Sequence, residues 1–263
     1  MSELESWHEW RTRRETRLRA KHGTLALIGT HWLPEQPAPI IEGEPVLWSA
    51  GPGGTTVVLT ARAEHGLVFR GEPVDGTVTL QVDTAEHPDT VSAPEYDLLL
   101  VPIERDGSAA LRVYDPNSKT LAAFDGIDAF DYDPQWSLPA TFTPSDGPRV
   151  EDVLNADGAV RGLGLDGTVT FELEDGPHTL EAESTGGGLW IVLADPTTAE
   201  STPFFRFLKT GAPDPETGRL TLDFNRAYLP PCAFADHYVC PVPPRGNTLA
   251  QPVRAGELAV RSR

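Results

Sequence analysis

The densest collection of chemically capable side chains lies between Leu222 and Asn247. It reads Leu-Asp-Phe-Asn-Arg-Ala-Tyr-Leu-Pro-Pro-Cys-Ala-Phe-Ala-Asp-His-Tyr-Val-Cys-Pro-Val-Pro-Pro-Arg-Gly-Asn. A carboxylate, an amide, a guanidinium and a phenol fall close together at Asp223, Asn225, Arg226 and Tyr228. Such a set can grip an anionic or carbonyl-bearing small molecule, with Arg226 as a two-pronged donor and Asn225 as a fixed amide. Pro230, Pro231, Pro241, Pro243 and Pro244 stiffen the chain beyond Tyr228, and a rigid loop loses little entropy when it binds. The opposing reading is architectural: Arg226 pairs with Asp223 while Asn225 ties down the loop backbone. In a fully extended chain Asp223, Asn225 and Ala227 face one side and Phe224, Arg226 and Tyr228 the other, so convergence demands a turn.

Catalysis is the second chemistry this stretch can offer. Cys232 would act as a nucleophile if a neighbour such as His237 or Arg226 depressed its pKa. Alternatively Asp223 would serve as a general base while Asn225 and Arg226 steady developing negative charge in a hydrolase- or transferase-type reaction. Cys232 and Cys240 also admit plain burial as small hydrophobes, or a disulfide across the seven residues between them. Zinc would draw on Cys232, Asp236, His237 and Cys240, but C-x4-H-x2-C lacks the two tight pairs of a structural site. The reading is therefore no metal, with Cys232, His237 and Cys240 as the alternative set, and no cofactor. No nucleophile elbow, Walker loop, H-E-x-x-H helix or dinucleotide fingerprint occurs in usable context. Asn247, Arg112 and Trp32 complete the candidate ligand contacts, Trp32 and Tyr228 as walls.

These residues need a scaffold, and the rest of the chain describes a β framework. Ser2 followed by Glu5 forms a capping-box pattern, and the stretch to His22 is free of Gly and Pro before Gly23 stops it. One helix is expected there, with Leu4, Trp7, Trp10 and Leu18 as its apolar stripe. Past Gly23, short runs of Val, Leu, Thr and Phe alternate with Gly, Pro and Asp-Gly pairs at intervals too brief for helices. Strands are expected at Thr24–Ile28, Thr55–Ala61, Leu67–Phe69, Thr77–Val82, Tyr96–Ile103 and Ala110–Tyr114. Further strands are expected at Ala140–Phe142, Thr168–Leu173, His178–Ala182, Leu189–Ala194, Phe204–Leu208 and Leu220–Phe224, with a proline-rich loop over Leu33–Pro45. Asp75-Gly76-Thr77-Val78-Thr79 recurs as Asp166-Gly167-Thr168-Val169-Thr170. Duplicated halves and ordinary hairpin vocabulary both account for the recurrence. The fold class is thus mostly β, an antiparallel sandwich or barrel-like body with one N-terminal helix, built of two related β-halves if the recurrence is a duplication. Residues 1–22 form the helical segment, packed on one β-rich domain over 23–263.

Charge narrows the partners. The chain of 263 residues carries a formal net charge of −18, a field that repels phosphate backbones and anionic headgroups. Nucleic acid and membrane are excluded as expected partners, leaving a small-molecule ligand. Residues 1–21 run against the trend, with six basic groups facing four acidic ones. That segment suits a solvated face, docking on the acidic body, or a homodimer through the helix. The opening residues lack the apolar run of a secretory leader, and no apolar stretch approaches the ~20 residues of a membrane span. The expected location is cytoplasmic, where Cys232 and Cys240 stay reduced.

Asp223-Phe224-Asn225-Arg226-Ala227-Tyr228, then Pro230-Pro231-Cys232-Ala233-Phe234, Cys240-Pro241, Pro243-Pro244, Asn247 and Ala255-Gly256-Glu257 together carry a family resemblance. The sequence resembles the bacterial and archaeal proteins grouped under the domain of unknown function DUF1684. Weaker echoes fall at Trp32-Leu33, Leu111–Pro116 and Phe124–Ile127. The resemblance implies a largely β protein and names no reaction. The chain departs from the family pattern at Leu229, where a further Asn is usual, and at Leu208-Lys209-Thr210, which lacks the acid of an acid-Thr-Gly segment.

Overall fold

The computed structural model describes residues 2–200 and 204–263; Met1, at the head of the expected helical segment, lies outside them. Strand accounts for 46% and helix for 17%, with several antiparallel sheets including a half-barrel and one main N-terminal helix, as the sequence pattern indicates. The chain divides into two compact units, residues 16–123 and residues 2–15 with 124–263. The division runs between Ala123 and Phe124, where a five-residue helix passes directly into a strand. No Gly- or Pro-rich spacer betrays it.

Helix α1 (Glu3–Leu18) starts as its first residues dictate. The Glu5 N–H donates to Ser2 Oγ at 3.2 Å and the Ser2 N–H to Glu5 Oε2 at 2.7 Å, a completed capping box. Glu3 and Glu5 place negative charge in the first turn, where the helix dipole favours it. Of the expected stripe, Trp7 and Leu18 are buried, while Leu4 is 45% exposed. Trp7 anchors the helix through its ring N–H, which donates to the Asn225 carbonyl at 2.9 Å. Arg11 donates to the Ile127 carbonyl at 2.8 Å and lies over the Trp7 ring. Basic side chains of this helix are thus engaged within their own chain.

In the unit of residues 16–123 the strands are β1 (Leu27–Trp32), β2 (Leu47–Ala50), β3 (Thr56–Ala61), β4 (Val68–Phe69), β5 (Glu72–Pro73), β6 (Gly76–Gln81), β7 (Val91–Ala93), β8 (Leu98–Arg105) and β9 (Ser108–Tyr114). They form a six-stranded sheet in the order β1-β9-β8-β7-β4-β5 and a three-stranded sheet β2-β3-β6. Alternation buries Val57, Leu59 and Ala61 of β3, and these share one core with Trp48, Leu80, Leu100 and Leu111 from both sheets. Each fully buried Leu contributes roughly 1.5–3 kcal/mol of transfer free energy. The β8–β9 hairpin closes on Asp106 and Gly107, both at positive φ (51° and 75°), the two-residue turn whose twist matches paired strands. The expected strand at Thr24–Ile28 begins instead at Leu27, because residues 24–26 close a 3-10 turn on Gly23 and Ser118 Oγ donates to the Leu25 carbonyl.

The other unit contains β10 (Phe124–Ala129), β11 (Ser137–Leu154), β12 (Val160–Leu173), β13 (Gly176–Thr185), β14 (Gly188–Leu193), β15 (Arg206–Lys209), β16 (Arg219–Asp223) and β17 (Glu257–Ser262). Its main sheet runs β15-β14-β13-β12-β11-β16, with β10 and β17 paired separately. Phe171, Leu180, Ile191, Leu208, Leu222 and Phe224 fill its core. Strands β11 and β12 far exceed the segments expected at Ala140–Phe142 and Thr168–Leu173. The residues Pro144 to Pro148, all of turn-forming type, are absorbed where the β11–β12 register slips between Pro144 and Arg149. The repeated pentapeptide occupies an edge strand at Gly76–Thr79 and the middle of a strand paired on both sides at Gly167–Thr170. Among the described residues no helix is long and apolar enough to cross a membrane.

Candidate functional site

Strand β16 delivers Asp223 to the point where the chain must bend. Phe224 is fully buried against Trp136 and Phe171, and residues 224–226 form a 3-10 turn. This is the turn that extended geometry demanded. Asp223 Oδ1 accepts from the Asn225 N–H at 3.1 Å and from Asn225 Nδ2 at 3.0 Å, while Oδ2 accepts from Arg226 Nε at 3.0 Å. Arg226 also donates from Nη2 to Ser6 Oγ of α1 at 2.8 Å.

Asp223 and Arg226 line an open cleft of about 660 Å³. Its walls come from four places: Glu3, Ser6 and Trp10 of α1; Tyr132; Ser137 and Thr221; and Lys209, Thr210 and Gly211 at the end of β15. Strands β15 and β16 are the opposite edges of one six-stranded sheet, so that sheet curls until both edges border the same cleft, with α1 contributing the remaining wall. Tyr132 donates its hydroxyl to Glu3 Oε2 at 3.0 Å. Desolvation, then the hydrogen bond and charge of Glu3, hold its phenol above the ordinary range, with Arg226 pulling the other way.

The other signature residues turn away from the cleft. Asn225 is 1% exposed and every polar group it owns is engaged: its Oδ1 accepts from the Asp133 N–H at 3.0 Å, its Nδ2 donates to the Asp133 carbonyl at 2.9 Å, and its carbonyl receives Trp7. Asn247 is fully buried, accepting from the Glu181 N–H at 2.7 Å and donating to the carbonyls of Glu181 and Val192 at 2.9 and 2.8 Å. Both amides act as internal struts, with the NH2 group and the carbonyl oxygen of each engaged inside the chain. Tyr228 pairs with Phe207 in a single bridge beyond the outer edge of β15. Its phenol is pushed up to about 12, chiefly by burial. The Arg14 guanidinium lies over its ring at 4.6 Å.

Arg14 belongs to a centre that sequence reading missed. Its Nε and Nη2 donate to the two oxygens of Glu257, the latter at 2.9 Å, and Nη2 also donates to the Leu229 carbonyl at 2.8 Å. Glu257 is 2% exposed and accepts in addition from the Leu229 N–H at 2.7 Å. A second missed pair is wholly buried: Arg206 donates from Nη2 to Asp195 Oδ2 at 2.6 Å and to the Val253 carbonyl at 3.1 Å. Desolvation lowers the Arg206 pKa, against the pull of Asp195.

Cys232 does not line the cleft, so the two catalytic candidates, Cys232 and Asp223, serve no common site. The Cys232 N–H donates to Cys240 Sγ at 3.3 Å; Cys240 is buried and Cys232 partly so. A side-chain hydrogen bond from Cys240 lowers the Cys232 pKa against desolvation. His237 is exposed. Among the described residues no three His, Cys, Asp or Glu side chains gather as a metal site needs, Cys232, His237 and Cys240 included. Trp32 and Arg112 belong to the other unit, on β1 and β9, where Thr30 stands opposite Arg112 and Trp32 opposite Ala110. The cleft residues that sequence reading did not place at a site are Glu3, Ser6, Tyr132 and Lys209, together with Trp10, read there as packing.

An antiparallel β protein with a polar cleft at the seam of a curled sheet is the class these features define. The chain belongs to the family described as "Protein of unknown function (DUF1684)", whose profile matches residues 122–258. The matched span contains Asp223, Asn225, Arg226, Tyr228, Asn247 and Glu257 and excludes Trp32 and Arg112. Among solved structures, the solution NMR structure of an uncharacterized protein from gene locus rrnAC0354 of Haloarcula marismortui is 32% identical. The match covers 51% of this chain and 77% of that one, with a TM-score of 0.43. No curated protein matches the chain.

Proposed function

We propose that the cleft at the sheet seam binds a small polar metabolite bearing an anionic group. The supporting observation is the convergence on one concavity of a guanidinium, an ammonium and two aromatic rings from separate elements: Arg226, Lys209, Trp10 and Tyr132. The cleft lining carries two carboxylates and two cations; Asp223 is paired with Arg226 and Glu3 accepts the neutral Tyr132 hydroxyl, while Lys209, whose charge also acts on Glu183, offers its ammonium to an anionic group of the ligand. Ser2, Ser6 and Thr221 offer hydroxyls for orientation, and Trp10 offers a flat wall.

Native mass spectrometry of the purified full chain, followed by melting curves in millimolar small carboxylates and phosphates, tests this reading. A stabilising ligand is expected, and removing both cations (Arg226→Ala with Lys209→Ala) should weaken it at least ~10-fold, the order of one charge-assisted contact. An empty native spectrum together with unmoved melting curves across the panel would refute the binding reading. The architectural reading of the signature would then stand, and it draws on the complete internal satisfaction of Asn225 and Asn247.

A further inference from the structure

We propose that Cys232 and Cys240 form a reversible oxidation site, in which Cys232 reacts with a hydroperoxide and Cys240 resolves the product to a disulfide. The two thiols are unbridged, and the Cys240 sulfur sits 3.3 Å from the Cys232 nitrogen, accepting its N–H. One N–Cα bond further on, the Cys232 Cα lies within about 4.8 Å of that sulfur. A sulfur at that distance from the Cys232 Cα lies within reach of the Cys232 side chain, as bridging requires.

The backbones that carry the sulfurs are held. Cys232 stands in the Pro231–Ala233 turn, closed by the Ala233 N–H on the Pro230 carbonyl and the Phe234 N–H on the Pro231 carbonyl. The Cys240 carbonyl accepts from the Ala156 N–H at 2.9 Å, and Pro241 bridges to Asn155. Proline on the near side of one cysteine and the far side of the other leaves little freedom to lose on bridging. The roles follow from access and acidity. Cys232 is the partly exposed member, and its thiol is shifted toward the thiolate by the hydrogen bond from Cys240, whereas Cys240 is 4% exposed.

The chemistry balances without a further component beyond the hydroperoxide. The Cys232 thiolate attacks the O–O bond, takes one oxygen as a sulfenic acid and releases the other as an alcohol or water. The Cys240 thiol then attacks that sulfur; the S–O bond breaks, hydroxide leaves as water with the Cys240 proton, and the S–S bond forms. Two electrons pass from the thiols to the peroxide. A dithiol reductant returns them by thiol–disulfide exchange.

The test uses the full chain, reduced, freed of small thiols and exposed to equimolar hydrogen peroxide without denaturant. The intact mass is expected to fall by two hydrogens, both cysteines to vanish from alkylation in urea, and a dithiol to restore them. Cys240→Ser should halt at a sulfenic acid on Cys232, captured by a 1,3-dione probe. Cys232→Ser should slow oxidation at least ~10-fold, since only a buried thiol remains. Two alkylatable thiols after native treatment, or a Cys232→Ser chain that oxidises as fast as the parent, would overturn the assignment. The mass measurement on the unsubstituted chain decides the matter even if either variant misfolds.

Discussion

Replacing Glu257 by Ala probes the contact that ties the N-terminal helix to the β unit. Glu257 is 2% exposed and accepts from Arg14 Nε, Arg14 Nη2 and the Leu229 N–H. The change strands a guanidinium whose side chain is only 17% exposed and orphans the amide of fully buried Leu229. Breaking a buried pair from one side costs about 3–5 kcal/mol, and a buried unsatisfied N–H about 1–3 kcal/mol. These overlap, because Arg14 keeps the Leu229 carbonyl at 2.8 Å and the Tyr228 ring at 4.6 Å. We therefore expect a loss of about 3–4 kcal/mol, equivalent to roughly 6–16 °C in a unit of this size. Differential scanning calorimetry should place the loss in the transition of the unit formed by residues 2–15 and 124–263. Removing both charges, as Arg14→Met with Glu257→Leu, should recover at least ~1.5 kcal/mol of the single-mutant loss, since the uncompensated ion is what costs most. A single-substitution loss below about 1 kcal/mol, the ordinary worth of a surface pair, would refute the reasoning.

Three further substitutions separate the parts of the signature and exploit its surroundings. Asn225→Ala should cost about 1–3 kcal/mol, because it unpairs the partly buried Asp133 backbone N–H and carbonyl, whereas Arg226→Ala should cost no more than about 1 kcal/mol for a pair partly open to solvent; comparable losses in urea titrations would contradict the division into strut and cleft residue. Glu183 is held above the usual carboxylate range, first by burial and then by Asp166, so its ionised form is disfavoured in the folded chain. Its penalty is absent below the unfolded pKa and complete above the raised folded one, so Glu183→Gln should stabilise at pH 7 by no more than about 1 kcal/mol for a half-exposed group, with the gain vanishing near pH 4. A gain that persisted unchanged at acid pH would point to packing instead of charge.

What the sequence disclosed is divided by distance along the chain. The capping box of Ser2 and Glu5 was readable because both partners lie in one turn. Strand alternation in β3 was readable because burial there depends on a period of two. Strands β11 and β12 were not readable at full length, since Pro144 to Pro148 carry turn chemistry that a register slip absorbs. The polar cluster at 223–228 announced itself by composition, but composition does not say which amide faces a ligand. Asn225 meets Asp133 across 92 positions and Asn247 meets Glu181 across 66, so their conversion into struts depends on tertiary partners that no local pattern records. Arg14 and Glu257 stand 243 positions apart; the basic excess of the first 21 residues hinted at docking without naming the acid. Lys209, beside Thr210 and Gly211 at a strand end, stands out in sequence only as a departure from the family pattern, and its place in the cleft follows from sheet curvature.

That curvature joins the signature's structural and cleft-lining residues. A sheet whose edge strands β15 and β16 border the same cleft leaves unpaired edge groups on both sides of a gap, which a chain must cover or pair. The turn after β16 does part of this: Tyr228 pairs with Phe207 beyond β15, and Asn225 pins Asp133 and receives Trp7 of α1. Once those groups are satisfied internally, the seam is rigid where Asn225 and Tyr228 sit and open where Asp223 and Arg226 sit. Rigidity beside an opening is the condition under which a guanidinium can be held toward a ligand at little entropic cost. The same six residues can therefore close a sheet and present a charge, because successive side chains of the turn point to different sides of the seam.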